Sequence, residues 1–200
     1  MGYARVTIAL AVAAACAATS PGAQTLPPMP GATGAEAAAP LPEESGALLD
    51  LLATEADPVE AGRLAREVEE RWSHSGSAAM DLLLRRGKDA IEAGAHDRAV
   101  VHLTALTDHA PDFAEGWAAR ATAFFLQEEW GLALSDIEQT LILEPRHYGA
   151  LFGLCVIMRE LERPDLALRA CRASRDVYPA QEEVGRLIET LEQETGGRAL

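Results

Sequence analysis

Three cysteines, five histidines and a short serine cluster are the residues of this 200-residue chain whose types could carry chemistry. Cys155 and Cys171 are sixteen residues apart, with the turn signal Arg163-Pro164-Asp165 midway between them. If the flanking segments are helices, the two thiols face each other across an antiparallel hairpin. They are a candidate disulfide, which needs Cα atoms about 4.4–6.8 Å apart and an oxidising compartment. Against it, packed helix axes lie about 8–10 Å apart, and small buried cysteines also act as plain packing residues. The packing reading is the simpler one. The histidines (His74, His96, His102, His109, His147) form no i, i+4 pair. His102 and His109 alone fall short of the four ligands of structural zinc, so no metal site is expected. Ser73, Ser75 and Ser77 surround His74 with no carboxylate at a recognisable spacing, and read as turn residues rather than a hydrolase triad. No Gly-x-Gly-x-x-Gly, Walker or Gly-x-Ser-x-Gly signature is present. The chain therefore reads as non-enzymatic, with no catalytic residue and no cofactor.

The elements that position these residues are helical. Alanine makes up nearly a fifth of the chain and aromatic residues only 5%. Alanine has the best helix propensity, while strands prefer β-branched and aromatic side chains. A net charge of −14 argues against a nucleic-acid partner, because phosphate binding needs a basic patch.

Met1 to about Ala23 has the form of a secretory signal: Arg5, then an apolar stretch from Val6 to Ala18, then small residues and a helix breaker. About thirteen apolar residues are too few to span a bilayer, which takes about twenty, so no integral membrane span is expected in the mature chain. Cys16, closing the apolar run, is a candidate for lipidation, although the preceding Ala13-Ala14-Ala15 lacks the usual leucine. Residues 24–44, dense in Pro, Gly and Ala, have no apolar period and read as a disordered linker. The localisation expected is the periplasm or the medium, with a membrane-anchored lipoprotein as the lesser alternative.

Internal repetition is the strongest signal. Pro111, Pro145 and Pro179 are spaced by 34 residues, and so are Ala99, Ala133 and Ala167. Leu83, Trp117 and Leu151 fall in the same phase, as do Gly87, Ala121 and Cys155, and Leu103, Ile137 and Cys171. Each unit reads as two helices. The first carries a large residue and, four places on, a small one that lets a neighbour approach closely. A break follows, at Gly94–Asp97 in the first unit and Arg163–Asp165 in the third. A second helix then ends at the proline, which cannot continue it.

This pattern resembles the tetratricopeptide repeat (TPR) family over Met80 to about Gln181. The second unit matches best, through Trp117, Ala121, Phe124, Ala133 and Pro145. The first departs with Leu83 and Ala90 where Trp and Tyr are common, and the third with Met158 and two cysteines at packing places. The resemblance implies a concave face lined by the first helix of each unit. On it would lie Leu84, Lys88, Ile91 and Glu92, then Thr122, Phe125 and Leu126, then Phe152, Val156 and Arg159. Family members that bind chaperone tails hold a carboxylate with Lys, Arg and Asn. The matching places here offer Lys88 and Arg159 but no Asn, so an apolar helix or extended segment suits this groove better.

The expectation is an all-α TPR solenoid, a right-handed superhelix of antiparallel helix pairs. Its parts are a signal (1–23), a linker (24–44), a leading helical hairpin (45–79), repeats at 80–113, 114–147 and 148–181, a C-terminal capping helix (182–195) and a tail (196–200). In the hairpin, Ser45 and Asp57-Pro58 are the expected helix starts, and Ala65 lies 34 residues before Ala99, as in a degenerate leading repeat. The function expected is an exported scaffold or adaptor that binds a peptide or protein partner in its groove. The alternative is a periplasmic holdase-type chaperone or envelope-complex assembly factor.

Overall fold

The computed structural model describes residues 43–196. The signal, the Cys16 lipidation candidate, most of the linker and residues 197–200 lie outside the described residues. Within them the chain forms nine helices: α1 (Glu43–Thr54), α2 (Pro58–Trp72), α3 (Ala78–Glu92), α4 (His96–His109), α5 (Ala114–Leu126), α6 (Trp130–Leu143), α7 (Tyr148–Glu160), α8 (Pro164–Val177) and α9 (Glu182–Gly196). No strand occurs among the described residues.

Local chemistry sets the helix ends. Asp57 caps α2 by accepting from the backbone N–H groups of Val59 and Glu60, and Pro58 occupies the first turn, where its missing N–H costs nothing. Pro164 starts α8 in the same way. Ser45 does not cap α1, which already begins at Glu43. Its side chain is buried and its hydroxyl has no hydrogen-bond partner, since a serine inside the first turn is no longer placed to meet the free N–H groups. α4, α6 and α8 each end two residues before one of the phased prolines.

The turn inside each unit also repeats. Gly94, Glu128 and Glu162 take positive φ values of 68°, 60° and 57° at the same 34-residue spacing. Glycine adopts this conformation freely, whereas each glutamate carries strain of about 1–2 kcal/mol. Identical turn geometry is thus imposed by the packing of the two helices it joins, whatever residue is present.

Three cores follow one another along the repeats. α3, α4 and the start of α5 bury Leu84, Leu103, Leu106 and Phe113. α5, α6 and α7 bury Ala121, Ala133, Ile137 and Ile157. α7, α8 and α9 bury Cys155, Cys171, Val184, Ile188 and Leu191. Between the first two cores, Arg120 makes a two-pronged ion pair with Asp136 (2.7 and 2.9 Å), donates to Thr107 and lies over the Trp117 ring. Such a fork fixes orientation as well as adding attraction.

The leading hairpin takes a different course from a repeat stacked ahead of α3. Leu49, Leu52, Ala61, Leu64, Val68 and Trp72 gather with Tyr148 at the start of α7 and Val177 at the end of α8, and not with the α3–α4 core. The Tyr148 hydroxyl donates to the Glu69 carboxylate (2.7 Å), Tyr178 meets Tyr148 edge-on, and Arg146 pairs with Asp50. Burial is the main reason that the Tyr148 hydroxyl is pushed far above its ordinary range, and the Glu69 carboxylate adds to it. Two tyrosines, Leu151 and Val177 offer the hairpin a large apolar surface with polar handles at its edge.

Candidate functional site

The first helices of the three units line a cleft of about 450 Å³. Its lining combines small residues, Ala118 and Ala119 on α5 and Gly149 and Gly153 on α7, with the larger apolar side chains of Ile91, Phe125, Phe152 and Val156. The phasing explains this. A 34-residue period brings the same helical face back in every unit, and small residues there leave a hollow between larger ones.

Seven of the ten residues expected on the concave face line the cleft: Lys88, Ile91, Glu92, Thr122, Phe125, Phe152 and Val156. Three do not. Leu84 is buried in the α3–α4 core, because its helical position turns it toward α4. Leu126 is exposed and borders a separate polar depression with Asp97 and Gln127, since it ends α5 beyond the cleft. Arg159 lies outside the lining and pairs with its neighbour Glu160 at 3.4 Å.

Glu115 and His147 are additions that the residue pattern did not single out. Glu115 stands in the first turn of α5, at the same repeat phase as Gly149 on α7, which is the signal that could have found it. Its carboxylate is held by the Lys88 ammonium (2.7 Å) and the His147 Nε2–H (3.1 Å). Burial pushes the Glu115 carboxyl up, yet the His147 hydrogen bond and the Lys88 ammonium outweigh it. The net result is a carboxyl below its ordinary range.

His147 is fully committed. The backbone N–H of Ala150 donates to its Nδ1 (3.0 Å), capping α7, which leaves the ring proton on Nε2 facing Glu115. The imidazole also stacks on the Trp72 indole, with centroids 4.3 Å apart and planes 11° from parallel. A His–carboxylate pair elsewhere can prepare a general base. Here Nδ1 is occupied by a backbone donor, so no lone pair remains to take a proton from a nucleophile.

The other chemically able residues are structural. Ser75 donates to Asp81 and Ser73 to the Glu69 carbonyl, closing the α2–α3 turn. Among the described residues no group of three or more His, Cys, Asp or Glu converges on a possible metal position. Cys155 and Cys171 are joined by a disulfide, with Cα atoms 5.1 Å apart. The axis separation of packed helices does not preclude this. Each Cα lies about 2.3 Å off its helix axis, so facing Cα atoms come within disulfide reach when axes are about 9–10 Å apart.

The architecture is that of an all-helical repeat solenoid with a cleft lined by the first helix of each unit. No family model matches the sequence. A TPR repeat-containing protein of Rhizobium etli is 38% identical over 148 residues, covering 72% of this chain and 72% of the relative. The chain belongs to the tetratricopeptide repeat family. Its fold is similar to the first TPR domain of Spaghetti (RPAP3), solved with the HSP90 peptide SRMEEVD. That match has a TM-score of 0.58 and 19% identity, over 60% of this chain and 95% of that one. The MamA protein is similar with a TM-score of 0.55 and 18% identity, over 77% of this chain and 82% of its own.

Proposed function

We propose that this protein is a non-catalytic interaction scaffold that holds a peptide segment of a protein partner in the α3–α5–α7 cleft. One observation carries the reading: a preformed apolar hollow with Phe125, Phe152 and Val156 on its walls, on the face that the repeat keeps in phase. The peptide recorded with the Spaghetti domain shows that this architecture accommodates such a ligand in that protein. The cleft's chemistry favours an apolar segment over a terminal carboxylate, because its one cation, Lys88, is neutralised by Glu115.

We further propose that the protein works outside the cytoplasm. The N-terminal apolar run with its small-residue exit supports export. The disulfide supports an oxidising compartment, where such bonds persist. No described helix is long and apolar enough to cross a membrane.

The test is crosslinking in cells that express the chain with its own N-terminal segment, followed by denaturing purification. One dominant crosslinked partner, lost in Phe125→Ala and Phe152→Ala, is the expected result. A broad set of unrelated envelope proteins would indicate a holdase instead. Crosslinks unchanged by both substitutions would refute the cleft as the binding site. The intact mass of the same sample reports cleavage near Ala23 and any lipid on Cys16, and an uncleaved, unmodified chain in the cytoplasm would refute export.

A further inference from the structure

The charge pattern of the cleft specifies its ligand more closely; this step rests on reading the cleft as a peptide site. Successive helices are antiparallel, so α3, α5 and α7 run in the same direction and the cleft has an N-terminal and a C-terminal end. At the N-terminal end an anion is already built in. The Glu115 carboxylate sits in the first turn of α5, where the positive end of the helix favours it, and Lys88 and His147 saturate it. A ligand carboxylate entering there would compete with the protein's own.

The C-terminal end has the opposite character. Glu92 is the last residue of α3, is exposed and lines the cleft. Among the described residues its carboxylate has no hydrogen bond or ion pair. Phe125 stands in the last turn of α5. The negative end of α3 lies at Glu92 and favours a cation there. The one charge on the lining left without a partner is therefore negative, and the whole chain carries −14, which steers cations toward it at long range.

We propose that the cleft takes an apolar peptide segment bearing a lysine or arginine. The apolar side chains seat between Phe125 and Phe152, and the cation faces Glu92.

The experiment uses the folded protein and an array of amidated ten-residue peptides. A Leu-Phe pair is moved through an alanine frame carrying two Lys, two Gln or two Glu, with free-carboxylate versions of the Gln set. Fluorescence anisotropy then gives affinities for the best binder of each set. The Lys set should bind about tenfold tighter than the Glu set, with the Gln set between. Glu92→Gln should weaken the Lys set by about three- to fivefold, the scale of an exposed ion pair, and leave the Gln set unchanged. Equal affinities across the sets, a preference for Glu or the free carboxylate, or no effect of Glu92→Gln would overturn the inference. If those occur while Phe125→Ala still abolishes binding, the cleft reading survives alone. Binding by no peptide, or binding indifferent to Phe125→Ala and Phe152→Ala, sinks both.

Discussion

Gly87→Ala is the sharpest probe of how the repeat is packed. Gly87 on α3 faces Leu103 on α4, and the same two places are filled by Ala121 and Ile137 in the second unit and by the bonded Cys155 and Cys171 in the third. A Cβ at Gly87 would lie 2.5 Å from both Cγ and Cδ2 of Leu103 and 3.0 Å from Cδ1. Carbon atoms in contact prefer about 3.5–4.0 Å, so a displacement of about 1 Å is required. Leu103 is fully buried, so its side chain cannot move out into solvent without losing its packing. Overpacking of this kind costs about 1–3 kcal/mol, whereas replacing a mid-helix glycine by alanine gains about 1 kcal/mol. The expected net loss is about 1 kcal/mol, or a Tm lowered by about 2–4 °C for a fold of this size. Thermal and urea unfolding followed by helical circular dichroism measures it. Leu103→Ala alone should cost about 2–5 kcal/mol through its cavity, and the new Cβ should fill part of that space. The double variant should therefore be more stable than the sum of the two losses by about 1 kcal/mol. A Gly87→Ala protein as stable as the original, with an additive double variant, would refute this account of the seam.

Two further outcomes follow from the buried polar and covalent links. The Glu115 carboxyl sits below its usual value of 4.5, so its stabilising effect is present above that value and is lost as pH falls through the lower native one. Glu115→Gln should thus be less stable than the original protein at pH 6–7, and the gap in urea midpoints should close in acid below pH 4.5; a gap independent of pH would contradict this. The disulfide closes a loop with a sequence separation of 16, for which loop-closure entropy gives about 3 kcal/mol. Cys155→Ala with Cys171→Ala should lower the urea midpoint accordingly and make it insensitive to reductant. An original protein whose midpoint ignores reductant would show that the bond does not form in solution.

The repeat is legible in the residues alone: its period, the helix pairs and the proline stops. Neighbouring units must interdigitate, so small residues recur at Gly87, Ala121 and Cys155, while Phe125, Phe152 and Val156 are placed on the cleft through the resemblance to the TPR family. Contacts between distant segments lie outside what periodicity encodes. Trp72, Glu115 and His147 come from the leading hairpin, the second unit and the turn before α7, and no local spacing joins them. Their meeting neutralises Lys88, one of the two cations at the places that match a carboxylate clamp. The docking of α1–α2 onto Tyr148 and Val177 likewise depends on which apolar surface the stacked repeats leave uncovered. Shape complementarity between distant segments exists only once each has folded, which is why Ala65, in phase with Ala99, nonetheless packs about 80 residues further on, against α7 and α8.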